Sequence, residues 1–320
     1  MKEYDEIMLF LKENYHITLL KIEEIIRQKD LEIKENMNIK KEEYYQYLYD
    51  EKELKFFYDY ILPPLKENEV YFLSLAARNK KLNEEERSIY KIGRSEMFQE
   101  EIVSSNEYNK YLQAIKRYEV RKDSILTKSG VSYPNKTLVC YVNLAPSNIY
   151  YSLIDLNKDI TNLLVNLTNN SLINSKDGIS DSYRSMKKIF HNNFHKVLCN
   201  NTSSKIWIDI DIDINPILQE YENMKKYFYE LGFKKNDIVY IRTAGGFHCL
   251  IRKSVLKELK LGSKFLDIFK TLENDIFKHE LVKEVTINKN NMVPCPGTLQ
   301  YGECVHILNK EDFSESDKLR

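Results

Sequence analysis

Apolar residues recur at helical spacing through the first sixty positions. Ile7, Phe10 and Leu11, then Leu19, Ile22 and Ile26, are separated by Glu and Lys in the pattern of an amphipathic helix. A second run over 44–62 sets Tyr47, Leu48, Leu54, Phe57, Tyr58 and Ile61 at similar intervals. Pro63-Pro64 ends it, because proline lacks the N–H and restricts the residue before it. The pattern predicts a helical N-terminal extension over 1–65.

Beyond that point the texture changes. VYFLSLA (70–76) and LVCYVNL (138–144) are short, β-rich apolar runs with helical patterns between them. Residues 166–182, rich in Asn, Ser and Asp, read as a loop, and YRSMKKIFHNNFHKVL after them as a helix. KIWIDIDIDI (205–214) is the clearest strand in the chain. A helix over PILQEYENMKKYFYELG, the strand-rich DIVYIRTAGGFHCLIRK, a helix across 254–280, then EVTI and MVPCPGTLQ follow it. Strands alternating with helices predict an α/β or α+β sheet with helical cover. The core would span 66–310, and the polar KEDFSESDKLR at the end predicts a tail or linker over 311–320.

Charge adds little direction: Lys plus Arg is 48 and Asp plus Glu is 48. A neutral protein can still bind phosphates in a local groove of Lys and Arg. The five cysteines, Cys140, Cys199, Cys249, Cys295 and Cys304, form no CxxC pair and suggest a reducing compartment. The start, MKEYDEIMLFLKENY, surrounds a short apolar run with acids, unlike a secretory signal, and no apolar run is long enough to span a bilayer. The expectation is a soluble cytoplasmic protein without a membrane partner.

Three segments carry candidate chemistry. In WIDIDID, side chains alternate across the strand, so Asp209, Asp211 and Asp213 share one face and Ile208, Ile210 and Ile212 the other. Carboxylates in such a row repel and call for a compensating cation; two of them, about 7 Å apart, can hold a hard divalent ion with substrate phosphates. A solvated acidic strand is the plain alternative, and DxD also occurs in glycosyltransferases and nucleases. In IRTAGGFHCLI, the turn between two strands, with Thr243, Gly245 and Gly246, could expose N–H groups to an anion beside His248; a plain hairpin would look the same. In MVPCPGTLQYGECVHI, two prolines and Gly297 impose a turn before Thr298, which could bring backbone near a sugar or base.

Taken together and in this order, strand DxD, [ST]xGGxH and PGT resemble the archaeo-eukaryotic primase superfamily, in its virus- and plasmid-encoded primase-polymerase branch. The resemblance covers 66–310, and LVCYVNLAPSN matches the strand and turn before the first motif. It implies an RRM-like catalytic sheet and template-directed joining of nucleoside triphosphates on a single-stranded template, with two Mg²⁺ or Mn²⁺ ions. It further implies that Asp209 and Asp211 bind metal, that His248 contacts the incoming triphosphate, and that a third acid completes the site. Glu284 is nearest the expected place, with Asn288 as a neutral substitute. Where relatives carry Arg before PGT, this chain has Pro294 and Cys295.

Arg242, Arg252 and Lys253, near His248 in sequence, are candidate phosphate partners, and Arg78 and Arg94 candidates for template or nucleotide. Against each stands a solvated surface charge. His191, His195 and Cys199 form an i, i+4, i+8 stripe that zinc could use, but no Cys-pair hook accompanies it, so zinc is not expected. The tyrosines of 44–60 could stack bases or pack helices. A catalytically idle nucleic-acid-binding replication protein remains the rival reading, and a replicative helicase a further candidate partner.

Overall fold

A computed structural model describes residues 44–171, 196–198, 200–202, 205–214, 218–272, 282–288 and 292–320. The helix expected over 1–26, most of that over 183–198, and the His191–His195–Cys199 stripe lie outside the described residues. The fold is α+β, built on two antiparallel sheets.

In chain order, helix α1 (Glu51–Phe56) continues as a π-helical turn to Ile61, followed by β1 (Glu69–Ala77), α2 (Glu84–Tyr90), β2 (Glu96–Val103) and α3 (Tyr108–Lys116). Next come β3 (Leu138–Asn143), β4 (Ser147–Asn148), the long α4 (Ile149–Ser171), β5 (Trp207–Ile214) and α5 (Leu218–Glu230). The hairpin β6 (Ile238–Thr243) and β7 (Gly246–Arg252) leads to α6 (Lys253–Glu258), α7 (Phe265–Thr271) and β8 (Val282–Ile287). Four short strands finish the chain: β9 (Met292–Pro294), β10 (Leu299–Gln300), β11 (Glu303–Cys304) and β12 (His306–Ile307).

The first sheet runs β11-β10-β3-β1-β2, with β4 added to β1 and β9 to β3; the second runs β12-β6-β7-β5-β8. The second sheet has the sidedness its sequence prescribes. Ile210 and Ile212 of β5, with Phe247 and Cys249 of β7, are buried against Tyr221, Met224 and Phe228 of α5. The opposite face begins in the main core, where Trp207, Leu250, Val239 and Ile241 pack with Leu73, Leu75 and Val142 of the first sheet. Along β5 that face then leaves the core: the Asp209 side chain is 0% exposed, Asp211 42% and Asp213 26%. The two sheets are thus joined at one end and part at the other around the acids.

Two boundaries differ from the sequence expectation. Residues 44–65 are not a separate extension: Tyr45, Tyr47, Leu54, Phe57, Tyr58 and Ile61 are buried in the same core as β1 and β3. Trp207 Nε1 donates to Ile61 O at 2.8 Å, tying β5 to that segment. Among the described residues, helical structure starts at Glu51, where the Asp50 carboxylate accepts from the N–H groups of Lys52 and Glu53. Residues 311–320 are no free tail either. The Arg320 guanidinium lies 3.8 Å from the centre of the Tyr58 ring and donates to Tyr58 O at 2.9 Å, and Leu319 N–H donates to Asp59 O at 2.9 Å.

Candidate active site in the inter-sheet cleft

The cleft between the sheets encloses about 880 Å³. Asp211, Asp213, His248, Thr243 and Gly245 line it from the second sheet, and Arg78, Lys80, Arg87, Arg94 and Tyr141 from the first-sheet side. Six of the sequence candidates (Asp211, Asp213, His248, Thr243, Gly245, Asn288) and two of the candidate arginines (Arg78, Arg94) are therefore brought together.

β5 lies between β7 and β8, and this register assembles the acid cluster. Asp211 stands opposite His248 on one side and Thr286 on the other; Asp213 stands opposite Gly246 and Glu284. His248 donates its Nδ1 hydrogen to Asp209, 2.9 and 3.1 Å from the two oxygens, and its Nε2 lies 3.6 Å from Asp211 Oδ1. Asn288 Nδ2 donates to the other side of Asp209 at 2.7 Å and to Met292 O at 2.8 Å. Burial pulls the His248 imidazolium toward neutrality, but Asp209, its hydrogen bond, and then Asp211 and Asp213 outweigh it and push the pKa from 6.5 up to about 9. Burial also raises the Asp211 carboxyl; His248 and Lys80 lower it, whereas Asp209 and Asp213 add to the rise.

The cation that the acid row requires is thus partly protein. His248 serves Asp209 and Asp211, and Lys80 Nζ donates to both oxygens of Asp213 at 2.7 Å. These distances sort the acids by role. Asp209 is buried with its carboxylate engaged by His248 and Asn288, which suits positioning His248 better than the metal-ligand role the resemblance implies. Asp211 faces the cleft with less compensation than its neighbours. Asp211 and Asp213 fit a hard divalent ion in donor chemistry, as carboxylate oxygens on one strand face. Among the described residues, no group of three His, Cys, Asp or Glu side chains is already arranged to hold one.

Other expectations need relocation. β8, the EVTI strand, does run beside β5, with Glu284 at the register position opposite Asp213, while Asn288 is the residue bonded to Asp209. Gly246 is required by packing: a Cβ there would meet Ile212 O at 1.9 Å. Gly245 has the softer neighbours, Lys80 Nζ at 3.2 Å and Asp213 Oδ1 at 3.4 Å. Thr298 is not in the cleft. It is fully buried, its hydroxyl donates to Cys295 O at 2.6 Å, and the Gly297 turn (φ +81°) packs so closely on Asp50 and Leu54 that a side chain would collide. The PGT segment accordingly anchors residues 49–54. Arg242 pairs across the hairpin with Phe247, on the helix-covered face, and Arg252 ends β7 while Lys253 begins α6, both outside the cleft lining. Adjacency to His248 in sequence misled because alternate strand residues face opposite ways and each residue advances about 3.3 Å.

Lys80, Arg87 and Tyr141 were missed. Lys80 follows the singled-out Arg78 by two positions in ARNKK, a spacing that was the available signal. Arg78 Nη1 donates to the Tyr141 hydroxyl at 2.9 Å, which fixes its head on the cleft wall. Arg87 and Arg94 are exposed and, among the described residues, carry no ion pair. Comparison of the chain with protein-family models, with curated proteins and with solved structures finds no match in any of the three.

Proposed function

We propose that the protein is a template-directed nucleotidyltransferase of the primase or primase-polymerase type, acting on nucleoside triphosphates in the inter-sheet cleft. The observation that carries this reading is one cleft with Asp211, Asp213 and His248 on one wall and Arg78, Arg87 and Arg94 on the other. A triphosphate needs cationic partners for its oxygens, and a metal-assisted phosphoryl transfer needs carboxylates within reach of the same phosphates. The order of the DxD, GGxH and PGT segments supports the same reading through their likeness to the archaeo-eukaryotic primase superfamily.

Asp211 and Asp213 would hold Mg²⁺ or Mn²⁺, with Asp213 giving up Lys80. Bound there, divalent ions would supply activation of the attacking 3′-hydroxyl and neutralisation of the triphosphate charge. The chain's own contribution is positioning. Asp209 fixes the His248 ring and keeps it protonated, so that Nε2–H is available to a phosphate oxygen. Lys80, released from Asp213, becomes a further phosphate partner, while Arg78 is held in place by Tyr141.

The test is incubation with single-stranded templates and labelled nucleotides, with Mg²⁺ or Mn²⁺. Template-dependent incorporation, abolished in Asp211→Asn, is the expected outcome; no incorporation under either metal overturns the reading. One observation favours the rival, a catalytically idle nucleic-acid-binding protein: the Lys80–Asp213 pair already satisfies one carboxylate. That rival would bind single-stranded DNA without incorporation, and Asp211→Asn would leave its binding unchanged.

A further inference from the structure

A second cavity, of about 830 Å³, opens at the other end of β5. Ile206 and Ile208 lie five and three residues before Asp211, roughly 17 and 10 Å along the strand, and no residue lines both this groove and the cleft. Its floor is apolar: Ile206, Ile208, Leu256, Phe265 and, from the chain end, Leu319. Its rim is basic, with Lys205, Arg252, Lys253 and Lys257 and no acid among the described lining residues.

None of these four cations forms an ion pair among the described residues, and Lys205, Lys253 and Lys257 are exposed. Arg252 stacks 5.4 Å from the centre of the Trp207 ring, and its Nε and Nη2 atoms are buried without a hydrogen-bond acceptor. Asp317, which Arg252 influences electrostatically, already accepts from Ser314 and from Asn236 Nδ2 at 2.7 Å. In a chain whose charges balance overall, four cations around one apolar groove, none ion-paired among the described residues, are a local imbalance that a ligand can correct. A single small anion would satisfy one or two of them. Cations spread along the start of β5 and along α6 match acids spaced along an extended chain, with apolar side chains between them for the floor.

We propose that this groove binds an acidic, apolar-interleaved peptide segment of a partner protein. The carboxylates meet Lys205, Arg252, Lys253 and Lys257, and the leucine- or phenylalanine-like side chains fill the floor between β5 and α7. The site is independent of the nucleotide-transfer reading, and its test needs no catalysis.

The experiment is fluorescence anisotropy with a fluorescein-labelled ten-residue peptide that alternates aspartate with leucine and phenylalanine. Controls are a decamer of aspartate alone, a peptide with lysine in place of aspartate, and a labelled single-stranded oligonucleotide. The alternating acidic peptide is expected to bind at least tenfold more tightly than polyaspartate, and the lysine peptide not to bind. Lys253→Glu with Lys257→Glu, both exposed, is expected to weaken that peptide at least tenfold, while thermal stability and oligonucleotide affinity stay unchanged. Equal binding of polyaspartate, or unchanged peptide affinity in the double variant, overturns the proposal. So does loss of oligonucleotide affinity in the double variant with the peptide unaffected, which would make the groove a nucleic-acid surface. Repeating the titration on Asp211→Asn keeps the outcome distinct from any failure of the catalytic reading.

Discussion

Asp211 and His248 hold the most testable chemistry at the scale of single residues. Asp211→Asn removes the middle charge of three, so repulsion with Asp209 and Asp213 falls and burial no longer opposes a charge. The variant should unfold at the same temperature or higher, while nucleotide incorporation is lost; lower stability with full activity would reverse the assignment. His248 gives a pH signature in chelator-treated protein. Its pKa is raised in the folded state, to about 9 from 6.5, so its contribution is complete below pH 6.5 and is lost as pH rises through 9. Melting temperature should fall across that window, by the equivalent of roughly 3 kcal/mol. His248→Asn should be less stable at pH 6 and lack this slope. A third residue-scale contrast concerns β8. Asn288 is hydrogen-bonded to Asp209, so Asn288→Ala frees one side of a buried carboxylate, at about 1–3 kcal/mol, and loosens His248. Glu284→Gln, opposite Asp213, should change activity less. An activity assay that ranks the two the other way would restore Glu284 as the completing acid.

The hairpin β6–β7 shows how an element's geometry constrains the site. Its two glycines, adjacent in sequence, answer different demands. Gly246→Ala would drive a methyl into Ile212 O, so β7 must separate from β5, at a cost on the order of 3–5 kcal/mol. Gly245→Ala meets only the ends of Lys80 and Asp213, which can shift. Its stability should stay within about 0.5–1 kcal/mol of the parent, with any effect confined to ligand binding in the cleft. Chemical denaturation of the two variants separates these cases. The turn itself was legible in TAGG, whereas its tight approach to Ile212 depends on β5 being the next strand. In the same way the PGT segment was legible as a turn, but its packing on Asp50 and Leu54, away from the cleft, follows from contacts some 245 residues apart in sequence.

For the whole molecule, the chain end and residues 44–65 belong to one folded unit. Deleting 311–320 removes the Arg320 stack on Tyr58, the Leu319–Asp59 backbone bond and the Asn236–Asp317 bond. Each interaction contributes about 0.5–2 kcal/mol, so the truncated protein should melt several degrees lower. A free tail would leave the melting temperature unchanged. Among the described residues, no helix is long and apolar enough to cross a membrane.

Strand β5, its alternation of Asp and Ile, the β6–β7 hairpin and the mixture of helices and strands were set by the sequence alone, which left α/β and α+β both open. Each rests on a period or turn signal within about ten residues, and local sterics dictate the response. Tertiary structure decided the rest. It put Asp209 under His248 and Asn288, left Asp211 facing the cleft, brought Lys80 to Asp213 across 133 positions, and carried Arg252 to a different cavity from His248. It also turned the tyrosine-rich 44–60 segment and the polar chain end into parts of one core and its cover. Those outcomes depend on which strands become neighbours and in what register, and no local pattern in the chain encodes the pairing of residues that distant.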